Sequence, residues 1–434
     1  MIYHLFQYFD KAGIDLPGMG LMHYLSFRAM MASVTAILVA LLAGKRIIRL
    51  LQKKQIGETV RDLGLQGQIE KKGTPTMGGI IIILSILSGV ILFCDLTNIY
   101  VLLLILSTLW CGALGFTDDY IKVFRHNKEG LSEKGKLIAQ MLLGLIVGIA
   151  VWQSPDIVVR EKVADEVTIV SSAEKTVEAE VLVENSSYKE ENVVKSTKTT
   201  IPFVKNHEFD YRWLSPFKGV WGWYAKWAIY VLMIVLVITA CSNGTNLTDG
   251  LDGLAAGTSA IVGVVLGILA WLGGNLINSN YLNIMYIPGS GEIAIFMSAF
   301  VGALVGFLWF NSFPAQVFMG DTGSLTIGGI IGVGAVLMRK ELLLPQLCGI
   351  FFVESLSVLL QRFYFKVTRK KTGVGHRIWS MTPLHHHYQD KKAPEGPVIF
   401  PKPVPAQHEA KITVRFWIVG IILAVSTLAL LKLR

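Results

Sequence analysis

Residues 99–125 read IYVLLLILSTLWCGALGFTDDYIKVFR, a long apolar run that ends on two adjacent carboxylates. The run 99–117 has the length, roughly 19 residues, that crosses the hydrocarbon core of a bilayer. An ionised carboxylate beside hydrocarbon is costly, so Asp118 and Asp119 need a cationic partner, a metal or a chemical task. The stretch therefore predicts a membrane-spanning helix with functional groups at one end.

The composition of the whole chain indicates the same class. Of its 434 residues, 52% are hydrophobic and only 16% are charged, and the mean hydropathy is +0.52. These values are typical of an integral membrane protein and exclude an ordinary soluble domain. The first 25 residues lack a small-residue cleavage site, so no removable signal peptide is expected. Four cysteines without paired spacing are expected to be small buried hydrophobes: Cys94, Cys111, Cys241 and Cys348.

Windows of bilayer length predict an all-α polytopic membrane protein with about ten transmembrane helices and a β-rich external insert. The spans are 26–49, 77–94, 99–117, 136–152, 223–242, 253–273, 292–310, 323–338, 342–364 and 413–431. The chain then divides into helices one to four (1–152), the insert (153–219), and helices five to ten with catalytic loops (220–434).

The insert differs in pattern from the rest of the chain. Its stretch DEVTIVSSAEKTVEAEVLVENSS (165–187) alternates apolar and polar side chains, which predicts short strands or hairpins. It holds no catalytic cluster, and its one acceptor sequon, Asn185 to Ser187, is a weak motif. We expect a family-specific decoration or packing unit, with partner binding as the alternative.

Lysines and arginines cluster at the same ends of the predicted spans. The basic stretches are GKRIIRLLQKK (44–54), KVFRHNKEGLSEKGK (122–136) and KVTRKKTGVGHR (366–377). By the positive-inside rule these ends lie in the cytoplasm, together with loops 243–252 and 311–322, and both termini lie outside. The net charge of +9 is attributed to topology and lipid headgroups; interleaved basic and aromatic residues that would bind nucleic acid are not found.

Five polar clusters fall on this predicted cytoplasmic face. They are KKGTPTMGG (71–79), TDDYIK (117–122), SNGTNLTDGLDGL (242–254), FNSFPAQVFMGDTGS (310–324) and MTPLHHHYQD (381–390). Carboxylates are the hard ligands that bind Mg²⁺, glycine-rich turns bring backbone amides close to anions, and lysines neutralise phosphate charge. The carboxylates are Asp118, Asp119, Asp249, Asp252 and Asp321, and the lysines are Lys71, Lys122, Lys134 and Lys136. Together they indicate one site for diphosphate chemistry.

Each cluster alone also has a simpler interpretation. The aspartate pair could end a helix in solvent beside lysines, and NLTDGLDGL could be ordinary turn chemistry. Asp321 could cap the eighth span, and the three histidines could be a surface run. A common site is favoured because all of these separate explanations would have to hold at once.

In order and position, the five clusters resemble those of the phospho-N-acetylmuramoyl-pentapeptide transferases, the integral membrane enzymes that make lipid I. GTPTMGG together with PLHHHY is the most specific part, and the resemblance covers the chain apart from the insert. The wider superfamily of polyprenyl-phosphate sugar-1-phosphate transferases shares the acidic motifs without this full set.

The resemblance implies transfer of phospho-MurNAc-pentapeptide from its UDP carrier to undecaprenyl phosphate, with release of UMP and a requirement for Mg²⁺. It implies a homodimer in the bacterial inner membrane with a cytoplasmic active site. Asp321 is then the principal Mg²⁺ ligand, Asp118 and Asp119 lie near the attacking phosphate as further candidate ligands, and Lys122 completes the catalytic set. The substrate-binding candidates are Lys71, Thr76, Lys134, Asn243, Asn246, Asp249, Gly250, Leu251, Asp252, Asn311, Phe318, His385, His386 and His387, the histidines in a mobile loop over the sugar–peptide end.

Departures from the family and rival functions stay open at this point. Gln68 stands where the family often has histidine, and Gln389 where it usually has an acidic residue. One rival is a transferase that uses a UDP-N-acetylhexosamine; the other is an ion-coupled transporter, which the position of the carboxylates at span ends disfavours. Direct attack by the lipid phosphate is favoured, because a phosphate is largely dianionic at neutral pH; a covalent aspartyl intermediate is the alternative.

Overall fold

The computed structural model describes residues 1–14, 18–54, 73–125, 127, 129–164, 186–202, 208–389, 396–401 and 405–431. Its first half contains α1 (Ile2–Lys11), α2 (Leu25–Lys53), α3 (Gly79–Phe93), α4 (Ile99–Phe124), α5 (Glu133–Gln153), β1 (Val159–Ala164), β2 (Ser186–Val194), β3 (Lys198–Thr200) and β4 (Glu208–Asp210). Its second half contains α6 (Gly219–Thr248), α7 (Leu254–Gly273), α8 (Leu276–Leu282), α9 (Gly291–Asn311), α10 (Gly320–Leu337), α11 (Leu344–Leu347), α12 (Gly349–Thr372), β5 (Arg377–Trp379), α13 (Leu384–Gln389), β6 (Val398–Phe400) and α14 (Glu409–Leu430).

The predicted all-α polytopic membrane fold is confirmed. Among the described residues, eight helices are long and apolar enough to cross a membrane: α2, α4, α5, α6, α7, α9, α10 and α14. The bent pair of Glu341–Leu347 and α12 makes a ninth only when its two arms are counted as one span, and α3 is apolar but shorter, at 15 residues. Each of the ten predicted spans therefore overlaps with one of these helices or with the bent pair.

The ninth span is not the straight helix that its hydropathy suggested. A 3-10 turn at Glu341–Leu343 leads into α11, and α12 then leaves at an angle of 78°. Cys348 lies at the bend with a non-helical backbone (φ −94°, ψ 27°). Hydropathy measures apolar length but not direction, so a bend between two apolar arms leaves no sign in a sliding window. The bend lets α12 pack against both α6 and α14.

Helix α10 lies at the centre of the bundle. All of its residues from Thr322 to Leu337 are buried, and it packs against α3, α4 and α6. Its many glycines permit the close helix approach that membrane helices use instead of a hydrophobic driving force. We name the end of the bundle that holds Asp118, Asp119 and Asp321 the carboxylate end, and the opposite end, which carries β1 to β4, the insert end.

The described part of the insert forms strands, as predicted. β1 pairs antiparallel with β2, and β3 pairs antiparallel with β4. Most of the alternating stretch and the sequon at Asn185 lie outside the described residues. β3 packs on the end of α10, where the hydroxyl of Thr199 and the N–H of Thr200 both donate to the carbonyl of Arg339 (3.1 and 3.0 Å). The last part of the insert is thus built into the bundle.

Candidate active site

The two carboxylates of the opening stretch lie on the last turns of α4, which continues past the predicted limit to Phe124. Asp118 is 0% exposed and Asp119 is 3% exposed, so their interpretation as a solvated helix end is excluded. Lys122 follows Asp118 by one helical turn, and its Nζ lies 2.6 Å from Asp118 Oδ2. A cationic partner for the first carboxylate therefore comes from the same helix.

Asp119 caps the first turn of α10. Its Oδ1 accepts the backbone N–H of Asp321 (3.1 Å), and its Oδ2 accepts the backbone N–H (2.9 Å) and the hydroxyl (2.6 Å) of Thr322. A carboxylate at this place satisfies N–H groups that lack partners within the helix and interacts favourably with the helix dipole. Gly115 brings the backbones together, because a Cβ there would overlap the carbonyl group of Asp321. α4 therefore fixes the residue that begins α10.

Asp118 and Asp321 share two lysine side chains. Lys122 Nζ lies 2.6 Å from Asp118 Oδ2 and 3.2 Å from Asp321 Oδ2; for Lys136, from α5, the distances are 2.9 and 2.6 Å. Buried carboxylates need such cations, because removing an ion from water without a partner is costly. The lysine side chains are 36% and 20% exposed, so they can also contact an incoming anion.

Asn246 fixes the other oxygen of Asp321. Its Nδ2 donates to Asp321 Oδ1 and to the hydroxyl of Ser324, both at 2.9 Å. Asn246 lies in the last turns of α6. This helix ends at Thr248, beyond the predicted limit at residue 242. The carboxylate at the start of α10 is thus held from α4, α5 and α6.

The carboxylates are close enough to hold a metal ion. Ligand oxygens of Asp118, Asp119 and Asp321 all lie within 4.8 Å of one another. A hard divalent cation suits this all-oxygen set. Asp118 and Asp321 fit it better than Asp119, because each has one oxygen, Oδ2, that faces the lysine ammonium groups, whereas both oxygens of Asp119 accept hydrogen bonds from α10. In the described chain the two lysine ammonium groups supply the positive charge at this point.

The GTPTMGG motif is hydrogen-bonded to the motif around Phe318. The N–H of Phe318 donates to the carbonyl of Pro75 (2.8 Å), and the N–H of Gly78 donates back to the carbonyl of Phe318 (2.8 Å). Thr76 is buried against Gly320, which has φ +70° and whose Cβ, if present, would lie 2.6 Å from Asp119 Oδ2. Two distant motifs therefore form one wall of the site. The predicted binding residue Lys71 lies outside the described residues.

The turn 249–253 is shaped by hydrogen bonds to three elements. Asp252 Oδ2 accepts the N–H of Ala315 (3.0 Å), and its own N–H donates to Glu409 Oε1 (2.7 Å). Asn311 Oδ1 accepts the N–H of Gly253 (3.1 Å), and its Nδ2 donates to Val317 (2.9 Å). Turn chemistry therefore explains part of this motif. It does so at the carboxylate end, in direct contact with the 310–318 loop.

The remaining residues of this turn differ in exposure. Asp249 ends α6 and is half-buried, and Gly250 is exposed. Leu251 is buried against Ile412 of α14. The backbone of Gly250 is thus accessible to solvent, while Leu251 anchors the turn to α14.

The three histidines lie on α13 and do not form a surface run. His385 is fully buried, His387 is 6% exposed, and His386 is partly exposed. His386 Nδ1 lies 3.2 Å from Gln389 Oε1. The three rings therefore occupy three different environments, and His386 is the most accessible of them.

The chain is similar to known proteins over its whole length. A family model described as glycosyl transferase family 4 matches residues 194–339, and phospho-N-acetylmuramoyl-pentapeptide-transferase signature 1 matches residues 71–83. The phospho-N-acetylmuramoyl-pentapeptide-transferase of Parabacteroides distasonis is 53% identical over 436 residues, and that of Azobacteroides pseudotrichonymphae is 55% identical over 434 residues. Each alignment covers 100% of both chains. The chain belongs to the phospho-N-acetylmuramoyl-pentapeptide-transferase family.

In this member of the transferase family, the structure brings together some of the predicted residues and not others. Asp118, Asp119, Asp321, Lys122 and Asn246 lie in direct contact. Two of the predicted substrate-binding residues, Asn243 and Lys134, are not among these contacts. Asn243 Nδ2 donates to Gln140 and to the carbonyl of Thr239 (2.7 and 2.9 Å), and Lys134 is exposed at the start of α5.

Two contributors to the candidate site, Glu354 and Glu409, were not predicted from the sequence, and Lys136 was predicted only as a general phosphate-neutralising cation. A signal for Lys136 was available: Ser132 begins α5 by accepting the N–H of Gly135, which puts Lys136 in its first turn. A signal for Glu354 was its position as a carboxylate within an apolar span.

Proposed function

We propose that this chain transfers phospho-MurNAc-pentapeptide from UDP-MurNAc-pentapeptide to undecaprenyl phosphate, forming lipid I and UMP for peptidoglycan synthesis. The observation that carries the proposal is the pairing of Asp118 and Asp321 with Lys122 and Lys136, in a chain that aligns end to end with transferases of this name. Transfer of a phosphoryl group depends chiefly on positioning and charge neutralisation. Two fixed ammonium groups beside two carboxylates supply both.

The reaction needs little activation of the acceptor. An oxygen of the lipid phosphate attacks the phosphorus that carries MurNAc, a new P–O bond forms there, and the bond from that phosphorus to UMP breaks. UMP leaves with the electron pair. A phosphate with a second pKa near 6 is largely dianionic at neutral pH, so no strong base is required. The engagement of both Asp119 oxygens by α10 supports direct attack over an aspartyl intermediate at this residue.

Each residue of the cluster has a distinct task in this scheme. Lys122 and Lys136 bind phosphate oxygens, and Asn246 keeps Asp321 in one orientation. Asp118 and Asp321 would hold Mg²⁺, which when bound would polarise the diphosphate and stabilise the charge on departing UMP. Asp119 acts on the position of Asp321 through the first turn of α10.

The donor site is assigned to the loops around the carboxylates. The turn 249–253 and the 310–318 loop hold the nucleotide, and α13 lies over the sugar–peptide end. Support comes from the backbone contacts that join these loops to one another. Asn311 is 3% exposed with both polar atoms engaged, so its contribution is to shape the turn.

The orientation follows from the charges at the two ends of the bundle. Lys53 ends α2, and the last turn of α12 carries Arg369, Lys370 and Lys371. By the positive-inside rule the carboxylate end faces the cytoplasm, and both termini face the periplasm of a bacterial inner membrane. The family further supports a homodimer, which light scattering of the detergent-solubilised protein can test.

The test is release of UMP by the purified protein in nanodiscs. UDP-MurNAc-pentapeptide, undecaprenyl phosphate and Mg²⁺ together should give UMP and a lipid-linked product in equal amounts, and omission of any one should stop both. UDP-N-acetylglucosamine serves as the competing donor for the alternative transferase. Turnover of that donor in place of the muramoyl one would reject the proposal, as would UMP release that does not require the lipid.

A further inference from the structure

Glu354 is a buried carboxylate that takes no part in the cluster around Asp321. It lies in the second turn of α12 and is fully buried. Its Oε2 accepts the backbone N–H of Leu384 (2.5 Å), and its Oε1 accepts that of His385 (3.1 Å). Glu354 Oε2 also lies 3.3 Å from His385 Nδ1. All of these contacts are to the helix that carries the three histidines.

These contacts explain why α13 forms. A helix of six residues is too short to be stable alone, so its first turn needs partners from outside. The carboxylate supplies them to two N–H groups and lies favourably at the positive end of the helix dipole. A fully buried carboxylate is itself costly, so a simpler polar residue would cap this turn at lower cost. The charge therefore suggests a task beyond capping.

The task is indicated by the ring of His385. The ring is fully buried, and in the described part of the chain neither of its nitrogens meets hydrogen-bond geometry with a partner; Nδ1 faces the Glu354 carboxylate at an ion-pair distance of 3.3 Å. On its Nε2 side the ring packs against Gly250, where a Cβ would overlap the imidazole. The ring thus lies between the carboxylate of Glu354 and the backbone of the turn 249–253.

The other end of α13 is attached to the same turn. Gln389 Nε2 donates to Glu409 Oε2 (3.4 Å), and Glu409 Oε1 accepts the N–H of Asp252 (2.7 Å). Helix and turn therefore contact each other at two points: the His385 ring at one end and Glu409 at the other. A change in the orientation of the ring would alter the shape of the turn.

We propose that Glu354 is a positioning residue for the nucleotide donor: it holds the Nδ1 of His385 protonated and the ring fixed against Gly250, so that the turn 249–253 has its donor-binding shape before the donor arrives. A carboxylate that faces one nitrogen of an imidazole favours the tautomer that has its proton on that nitrogen, as carboxylates do beside histidines at metal sites. The proposal rests on the function proposed above. The proposal assigns the shaping of the turn to His385 and not to the more accessible His386.

The first test is kinetic and uses Glu354→Gln. The amide oxygen can still accept N–H groups of α13, but the charge is lost. We expect the KM for UDP-MurNAc-pentapeptide to rise about 10-fold while kcat changes less than about 3-fold. His385→Ala should behave similarly, and the double variant should be no worse than the worse single variant, because the two residues act as one unit. Additive effects, or a loss confined to kcat, would overturn the proposal.

The second test does not depend on turnover. ¹⁵N NMR of histidine-labelled protein reports which ring nitrogens carry protons, and the His385 signal is identified by its absence in His385→Ala. In the wild-type protein Nδ1 should be protonated, and Glu354→Gln should shift the signal. An unprotonated Nδ1 in the wild-type protein would contradict the proposal, even if Glu354→Gln does not fold. Absence of UMP release by the wild-type protein would reject the proposed function and leave the NMR result to decide the pairing.

Glu292→Gln is the matched control. Glu292 is a buried carboxylate at the insert end, paired with Arg28 (2.7 Å) and with the N–H of Asp95 (2.8 Å). Removing its charge should lower stability, because breaking a buried ion pair leaves Arg28 without its counterion. The donor KM should not change. A rise in KM equal to that of Glu354→Gln would show that any buried charge loss has this effect, and the assignment to Glu354 would fail.

Discussion

Helix α10 has buried charged side chains at both of its ends, and the two clusters are built differently. At the carboxylate end, Asp321 meets Asp118 and two lysines from three helices, and the lysines remain partly exposed. At the insert end, Arg339 to Glu341 are consecutive and only 1–2% exposed. An open cluster of converging charges can accept a ligand, whereas a closed one can only hold the fold together.

The insert supplies two partners of the closed cluster, while both terminal nitrogens of Arg339 and Glu341 Oε2 have no hydrogen-bond partner among the described residues. Lys340 Nζ donates to the hydroxyl of Thr200 (2.5 Å), and the hydroxyl of Tyr211 donates to Glu341 Oε1 (3.2 Å). The guanidinium of Arg339 lies over the ring of Tyr230 at 4.6 Å. The insert therefore fixes one end of the helix whose other end begins with Asp321.

The largest expected effect is at the open cluster. Asp118→Asn removes the charge that both lysines contact, so the ammonium groups lose their orientation. We expect UMP release per folded molecule to fall at least about 1,000-fold. Single-turnover UMP release measures this directly. A decrease of less than about 10-fold would show that the open cluster is not the reaction centre.

The next largest effect is expected for Lys136, and it should distinguish this residue from Lys134 of the same helix, α5. Lys136→Met should lower UMP release about 100-fold, because it removes one of the two cations held at 2.6 to 2.9 Å from the carboxylates. Lys134→Met is the control: its side chain is exposed, and the change should be less than about 3-fold. Equal losses in the two variants would mean that general positive charge, and not the position of Lys136, is what the site requires.

The open cluster was the more predictable of the two. Asp118, Asp119 and Asp321 stand in motifs of turn residues and carboxylates beside apolar runs, and such motifs can be found without a structure. The different roles of the three carboxylates could not be predicted from the sequence, because each role depends on the groups that the carboxylate oxygens contact in the folded protein. The same is true of Lys134 and Lys136, which are two residues apart but differ in exposure because α5 turns one of them inward.

The closed cluster could not be predicted from the sequence. Arg339 to Glu341 read as an ordinary charged loop between two apolar spans, and Thr199 and Thr200 as polar positions of a decorative insert. Their contacts join residues about 140 positions apart. Local patterns carry no information on such pairs, so the expectation of a decoration or packing unit did not say which part of the insert packs on the bundle.

A change at the closed cluster should reduce stability and spare catalysis. Thr200→Val removes the oxygen that accepts from the buried ammonium of Lys340, and should lower the free energy of unfolding by about 2 kcal/mol. Turnover per folded molecule should not change. Lys198→Ala is the control: Lys198 lies in the same strand as Thr200, its partly exposed ion pair with Glu208 of β4 is broken, and the change should cost less than about 1 kcal/mol. Equal destabilisation by both variants would contradict a special role for the buried contact.

The closed cluster should also make stability depend on pH. Burial lowers the pKa of Lys340 to about 8 from its usual 10.5. The unfolded chain then binds more protons than the folded one between these values, so stability rises with pH there and is constant below about pH 8. We expect a gain of about 1–2 kcal/mol between about pH 8 and 9.5. Lys340→Met should abolish this gain in thermal unfolding scans, and an unchanged slope would refute the assignment.

The smallest effect is expected for the outer part of the insert. Arg160 pairs with Val193 across β1 and β2, so a short turn between these two residues can replace residues 161–192. UMP release should stay within about 2-fold of the wild-type rate, since loop closure costs little and the anchored part is retained. Ile157 and Val159 must remain, because both are buried in the core. Loss of activity in a folded deletion variant would assign the outer hairpin a task beyond packing.

In the proposed scheme, α10 carries chemistry at one end and is anchored by the insert at the other. Both halves of this scheme can be tested by UMP release per folded molecule for Asp321→Asn and Lys340→Met side by side, in the same nanodiscs and at saturating substrates and Mg²⁺. We expect Asp321→Asn to be folded but inactive, whereas Lys340→Met should turn over within about 2-fold of the wild-type rate. Near-normal turnover by Asp321→Asn, or a folded but inactive Lys340→Met, would contradict it.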